Sequence, residues 1–545
     1  ANLFLLNPSG IIFGPNARLN IGGSFFASTA SSLIFSDGTQ FSATNNQNSP
    51  LLTINVPVGL QYGAKAAPIR VQGARQIEAV GTTKGFDSNL NILEVNPGNT
   101  LAIIGGNVII DGGILQAPGG RIELGGLAGE GTITINENWS LSFPSGGQSA
   151  NISIINKSGI NVLAGGGGNI AINAQNLEIS ESLLTTGIAT GLGNQGAKAG
   201  NILIDATGAI AITASRIENN VNPAFDEQPA AIGDGGDIII KAGLTFTTET
   251  ASLSTGTFGQ GNGGNLIITA NSVSLTNGTN VDSITTGLGN AGNIEIYSKD
   301  SVAIVESKLE SDIFQAPLGG GNAGNILVQA NGLVSIFNSQ ITSEVPENAT
   351  GNGGTITIEA GAISMIQNTP IGLRTTTRGD GDAGYIKLTA TDKIDITSSA
   401  ISSDSFGAGD AGIVEIEAGG AIAINKTDIN SQVKDNSTGN GGIIFIEGKS
   451  VALSDNTRVQ TSTENGSGNA GIISINARDT VTITGSDIKS SAILGAKGDA
   501  GNISIKSEGS IFISDNTFLE SSNFVGGNAG SVTLDAGNKV SIINS

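Results

Sequence analysis

The chain has 545 residues, of which 81 are Gly, 4% are aromatic and 13% charged, with no Cys and no His. Lys and Arg number 25 against 46 Asp and Glu, a net charge of −21, which disfavours nucleic acid and anionic membrane surfaces as partners. Without His there is no His general base, and no run of 18 or more apolar residues offers a transmembrane helix. The apolar share of 38% is mostly aliphatic, which predicts a thin core stacked along one direction. The absence of Cys from so long a chain fits export in the unfolded state. No signal peptide is visible, and the first residue is Ala, so a segment is expected to precede it.

The first elements are two short apolar runs, residues 3–6 and 11–13, separated by Asn7-Pro8-Ser9-Gly10. Asn suits the first position of a tight turn, Pro the second and Gly the fourth, so this reads as strand, turn, strand. Further strands are predicted at 101–104, 108–110, 122–124 and 133–135. They follow no fixed period. A boundary is placed near the glycine run 165–168, giving regions 1–165 and 166–545, with coils expected to continue through it.

From there a repeat governs the chain. A small residue and a Gly precede an alternating apolar strand thirteen times, at Gly168, Gly200, Gly236, Gly264, Gly292, Gly324, Gly354, Gly384, Gly412, Gly442, Gly471, Gly501 and Gly530. Apolar residues fall at matching offsets. After Gly292 they are Ile294, Ile296, Val302, Ile304 and Leu309; after Gly501 they are Ile503, Ile505, Ile511, Ile513 and Phe518. A period of two means strands with one buried face. A unit of about 30 residues with three short strands buries that face only by stacking on its neighbours. The predicted fold is therefore all-β, a right-handed parallel β-helix. The last unit has only two strands, so the array reads as truncated at its C-terminal end. The longest loop, residues 218–235, follows a third strand. Asn follows the repeat Gly at 169, 201, 265, 293, 325 and 502. Stacked one coil apart, these form a partial hydrogen-bond ladder or simply tolerate turn geometry.

Several spacings resemble chemistry. Residues 287–292 spell the dinucleotide pattern G-x-G-x-x-G, but a strand rather than a helix is predicted after it, so the spacing belongs to the repeat. Asp234, Asp237, Asp380, Asp382, Asp410 and Asp499 recur in turns. They lack the nine-residue tandem of calcium-binding rolls and read as solvated turn residues. Asp380 and Asp382 are the pair retained as a weak calcium turn; no other metal or cofactor is predicted. Acidic pairs such as Asp226 and Glu227 do not repeat in register with Arg or Lys, so no enzyme is predicted. A β-helical polysaccharide lyase or hydrolase is the rival reading, to be sought as carboxylates converging in a groove beside Arg or Lys. A structural surface-layer or matrix rod is the third.

Residues 7–29, with Asn7-Pro8-Ser9-Gly10-Ile11 followed by Phe13-Gly14, Gly22-Gly23 and Ala27-Ser28-Thr29, resemble the two-partner-secretion domain of filamentous haemagglutinin-like exoproteins. Ser9 stands where that family carries Asn, a mild departure at a turn. Residues 93–135 resemble the segment that follows this domain in large cyanobacterial members, and the downstream repeats resemble their arrays. The resemblance implies that 1–165 is the C-terminal part of a secretion domain plus transition coils, and that 166–545 is the β-helix array. It also implies a secreted, surface-associated adhesin, threaded out through an outer-membrane partner barrel, with roles in aggregation and biofilms. Surface carbohydrate or other cells are the partners it suggests. Asn7, Pro8, Ser9, Gly10 and Ile11 would then be the secretion motif.

Overall fold

The computed structural model describes residues 1–44, 55–73, 92–314, 320–368, 372–434, 437–493, 495–524 and 526–545, and among these every regular element is a strand. Contacts divide the chain into two compact units, Ala1–Asn271 and Ser272–Ser545.

In the first unit the alternating segments form three parallel stacks. First strands run Leu3–Leu6, Phe25–Ser28, Thr100–Gly105, Arg121–Gly126, Asn169–Ala174, Ile202–Ala206 and Ile238–Ala242, each paired in register with the next. Second strands run from Ile11–Phe13 through Ile69–Gln72, Val108–Asp111 and Ile152–Ile155 to Thr245–Glu249. Third strands run from Leu93–Glu94 to Ser252–Ser254. Arg121–Gly126 pairs with Asn169–Ala174, so the coils pass through residue 165 without interruption.

The irregular spacing before residue 165 has a structural cause. An accessory antiparallel sheet of five strands is inserted between coil strands: Ser32–Phe35, Gln40–Ser42, Pro57–Tyr62, Gly131–Ile135 and Leu141–Ser142. The strand expected at 133–135 belongs to this sheet rather than to the parallel coils.

The second unit stacks its coils in the register that the sequence offsets imply. Ile294, Ile326, Ile356, Ile386, Val414, Ile444, Ile473 and Ile503 face one another in succession, all at most 1% exposed. Val302 to Ile511 on the second strands and Leu309 to Ile488 on the third form equivalent ladders. One expected position is corrected. Leu519, not Phe518, continues the Ile488 ladder, and Phe518 is 59% exposed. Asp515 and Asn516 both take positive φ at the preceding corner, which adds a residue and shifts the register of inward side chains by one.

That corner, between second and third strands, places a residue at positive φ in every coil of the second unit, among them Glu306, Asn338, Gln367, Ser398 and Lys426. The next residue is small, polar and buried: Ser307, Ser339, Asn368, Ser399 and Thr427, all at 2% or less. These stack into an internal ladder. Ser339 Oγ accepts the Ser307 N–H at 3.1 Å and donates to the Phe337 carbonyl at 2.8 Å. Asn368 Oδ1 accepts the Ser339 N–H at 2.8 Å. The side chains thus satisfy backbone groups that the bend removes from the sheets.

The repeat glycines answer to close approach. A Cβ on Gly412 would overlap the Gly384 carbonyl oxygen and the Ser403 hydroxyl, and one on Gly442 would overlap the Gly412 carbonyl oxygen. A buried hydroxyl further along each coil donates to the same carbonyls: Ser403 Oγ to Gly384 O at 2.7 Å, and Ser431 Oγ to Gly412 O at 2.5 Å. Gly412→Ala is therefore expected to cost about 2–4 kcal/mol and to abolish slow hydrogen exchange in the coils flanking it. Gly14→Ala, where a Cβ meets nothing within 4 Å, is expected to leave both exchange and melting temperature unchanged.

Candidate functional site

The stretch from Asn7 to Ile11 joins the first and second strands of the first coil described. Asn7 Oδ1 accepts the Ser9 N–H at 3.1 Å, and its carbonyl accepts the Gly10 N–H at 3.0 Å. Pro8 sits at the position where its fixed φ suits the turn. Gly10 lies at φ +108°, and a Cβ there would crowd the Pro68 carbonyl at 3.1 Å. The Asn7 N–H donates to Ser28 O at 3.0 Å, and the Ile11 N–H to Pro68 O at 3.3 Å. The turn is thus held to the neighbouring coil on both flanks. Asn7 and Ser9 point to solvent, while Ile11 is 8% exposed. Asn7, Pro8, Ser9 and Gly10 form one turn with a polar outer surface, and Ile11 opens the strand that follows it.

Around this turn the unit is unusually aromatic. Phe4 stacks on Phe26 with centroids 4.7 Å apart, and Trp139, the only Trp in the chain, lies 5.6 Å from Phe26. With Leu33, Leu60, Tyr62, Ile104 and Ile133 they form a core between the accessory sheet and the outer face of the first-strand stack. Thr100–Gly105 is consequently buried on both faces. Tyr62 is 1% exposed; its hydroxyl donates to Ile104 O at 2.6 Å and lies 2.9 Å from Ser28 Oγ. Sequence reasoning did not single out Phe26, Tyr62 or Trp139. The available signal was residues 101–104, an unbroken apolar run where a one-faced strand alternates.

At the margin of this core, Glu123 is 3% exposed, with Arg121 Nη1 at 3.0 Å from its Oε1. Burial pushes its carboxyl up to about 7 and outweighs the Arg121 charge, which acts in the opposite direction.

Of the two predicted calcium-turn residues, Asp382 bridges two coils and Asp380 is exposed. Asp382 is a rung in a continuous ladder of Asn and Asp side chains. Asn352 Oδ1 accepts the Asp382 N–H at 2.9 Å, and Asp382 Oδ1 accepts the Asp410 N–H at 2.9 Å. The same bond links Asn290, Asn322 and Asn352, and then Asp410, Asn440, Asn469, Asp499 and Asn528. Asp380 is exposed, with its N–H donating to Ala349 O at 3.0 Å. Among the described residues no group of three or more acidic side chains is placed to hold a metal ion. The Asn residues after the repeat Gly form a second, partial ladder: Asn169 Oδ1 accepts the Asn201 N–H at 3.0 Å, and Asn293 Oδ1 the Asn325 N–H at 2.8 Å.

The 287–292 dinucleotide pattern is followed by the strand Ile294–Val305, so no helix N-terminus faces a phosphate. Asp226 and Glu227 sit at the tip of a tight turn closed by reciprocal Phe225–Gln228 backbone bonds. Asp312 and Glu344, from adjacent coils, are two carboxylates held together at the outside of the stack. Asp312 accepts the Glu344 N–H at 2.7 Å and the Thr342 hydroxyl at 2.8 Å. Glu344 accepts a hydrogen bond from Arg374 Nη2 at 2.7 Å within an ion pair to the same guanidinium. Burial, then the charge of Glu344, pushes Asp312 up to about 8.

Residues 1–143 match the family model of the TPS secretion domain; no curated protein and no solved structure matches the chain. The match ends one residue beyond Leu141–Ser142, the last strand of the accessory sheet, so it takes in the whole of that sheet.

Two measurements probe this unit through Trp139 fluorescence. Tyr62→Phe leaves the Ile104 carbonyl without its hydroxyl donor and is expected to lower stability by about 1–2 kcal/mol. Glu123 has a folded-state value above its ordinary 4.5, so the unfolded chain loses this proton first. Stability is then expected to fall as pH rises from 4.5 to about 7 and to level off above. Glu123→Gln is expected to flatten that dependence; an unchanged pH profile would refute the assignment.

Proposed function

We propose that this chain, a two-partner-secretion exoprotein of the filamentous haemagglutinin type, acts as a non-catalytic adhesin held at the cell surface. The observation that carries the reading is the match over residues 1–143, which coincides with the first coils and the accessory sheet. The TPS domain marks the chain as secreted and implies an outer-membrane transporter as its partner. Asn7, Pro8, Ser9, Gly10 and Ile11 are our candidates for the surface the transporter reads, because two polar side chains there face solvent on a turn fixed at both flanks.

The rest of the chain suits that route. With no Cys, no disulfide obstructs threading. Each coil, once folded, presents an open strand edge on which the next is laid down. The carboxylates of Asp312 and Glu344 are bonded to neighbouring coils, which supports binding rather than catalysis. Carbohydrate or partner cells are the ligands we assign, on the outer faces of the coils. No cofactor is assigned: calcium at residues 379–382 would have to compete with the Asp410 N–H for Asp382.

Co-expression with and without the partner barrel tests the export half. Barrel-dependent appearance of the chain outside the cell is expected, reduced at least tenfold by Asn7→Ala with Pro8→Ala or by Gly10→Ala. Barrel-independent export, or variants exported like the parent, would remove the motif's role. Attachment of cells displaying the chain tests the adhesive half. Chelation by EGTA is expected to leave the melting temperature of the purified chain unchanged; a rise with millimolar calcium would restore the metal at Asp380 and Asp382.

A further inference from the structure

Beyond each third strand of the second unit the coil bends inward at a small buried residue, Ser431 or Ser490 for example. The bend leaves a trough on the outside. Its floor and two walls each take one residue per coil, so the lining is written in columns. The floor includes Gln432, Ser462 and Ser491, buried to 4%, 3% and 1%. One wall carries Gln460, Lys489 and Glu520; the other carries Glu464, Ile493 and Phe524. The trough over these coils encloses about 600 Å³.

We infer that this trough binds a neutral, hydroxyl-rich polysaccharide laid along the coils. The lining mixes donors and acceptors in the manner that sugar hydroxyls need. Gln432 Nε2 donates to Gln460 Oε1 at 2.9 Å, which orients the Gln460 amide with its own N–H₂ group still to be used. Lys489 stands 3.5 Å from Asp487 and 4.0 Å from Glu520. Those distances are too long to fix its ammonium in one hydrogen bond. Phe524 is 64% exposed at the rim, an apolar platform suited to the C–H face of a sugar ring. Further along the same floor Thr376 is 2% exposed and its hydroxyl finds no hydrogen-bond partner. Beside it on the wall, Arg378 lies 4.6 Å and Lys434 5.5 Å from the centroid of Phe406.

Charge and topology narrow the ligand. Glu464 and Glu520 outnumber Lys489, and the chain carries −21 overall, which opposes an acidic polymer. The third strands on this side are paired with neighbours on both edges, so an extended peptide finds no free strand edge to join.

This names a ligand class for the adhesive reading and rests on it. The test is affinity electrophoresis of the purified full chain through gels containing dextran, galactomannan, soluble β-glucan or polygalacturonate. Retardation by at least one neutral polymer is expected, with Kd raised tenfold or more by Phe524→Ala and by Gln460→Ala. Both are outward-facing side chains, and an unchanged melting curve confirms that the variants fold. Lys506→Ala, on the first-strand face, is expected to bind like the parent. The proposal is overturned by retardation in none of the neutral gels, by retardation in polygalacturonate alone, or by variants that bind like the parent. Exported chain that attaches cells yet binds none of these polymers in purified form would overturn the trough and leave adhesion standing.

Discussion

The spacing of about 4.8 Å between successive coils is the constraint on which every other feature depends. At that distance two backbones run side by side, and any Cβ directed along the stack meets the carbonyl of the coil before. Gly412 against Gly384 and Gly442 against Gly412 are such contacts. The same spacing lets an Asn or Asp side chain reach the backbone N–H of the next coil, as Asp382 does to Asp410. It also brings Ser and Thr hydroxyls onto carbonyls of the coil before, as Ser339 to Ile304 and Thr457 to Ile424. A short Gly-Asn/Asp-small-Gly phrase thus encodes two close approaches and one ladder rung per coil.

The first unit departs from this economy because it covers its outer face. The coils there are built on the same register, but the accessory sheet buries Phe26, Ala102 and Ile104 on the side that elsewhere meets water. A sheet with two apolar faces needs bulkier side chains between layers. Phe4, Phe26, Tyr62 and Trp139 therefore gather here. This is also the region that the secretion-domain family model recognises.

What was legible in the sequence follows from the same physics. Ile294, Ile326 and Ile356 were visible as a ladder because period-two burial and a fixed coil length leave a direct imprint. The turn at Asn7 was visible because Pro and Gly act locally. The accessory sheet was not, because Ser32–Phe35, Pro57–Tyr62 and Gly131–Ile135 are distant in sequence and pair only in three dimensions. The corners were opaque for another reason. Glu306, Asn338, Gln367 and Lys426 share positive φ but no side-chain chemistry, so no residue type announces them. Phe518 falls outside the ladder it is expected to join because a second such residue, Asn516, lengthens its corner unannounced. Asp382 illustrates the limit for sites: its bond to the Asp410 N–H reaches into the next coil, and nothing in the local Gly-Asp-Gly-Asp spelling announces it.

The division between inward and outward positions has a functional corollary. Inward residues such as Ile444, Ile473 and Ile503 are tied to their neighbours above and below, and a change in one disturbs the stack. Outward residues on the same strands answer only to solvent and to the next rung. Chemistry is therefore free to vary from coil to coil on the outside without altering the core. The column that reads Arg374, Ser402, Asn430, Gln460 and Lys489 keeps one strand register while its side chains change from base to hydroxyl to amide and back. A surface built this way presents a long row of different polar groups at constant spacing. Such a row is matched to a ligand that is itself a polymer, and it gains affinity by many weak contacts in series rather than by one deep pocket.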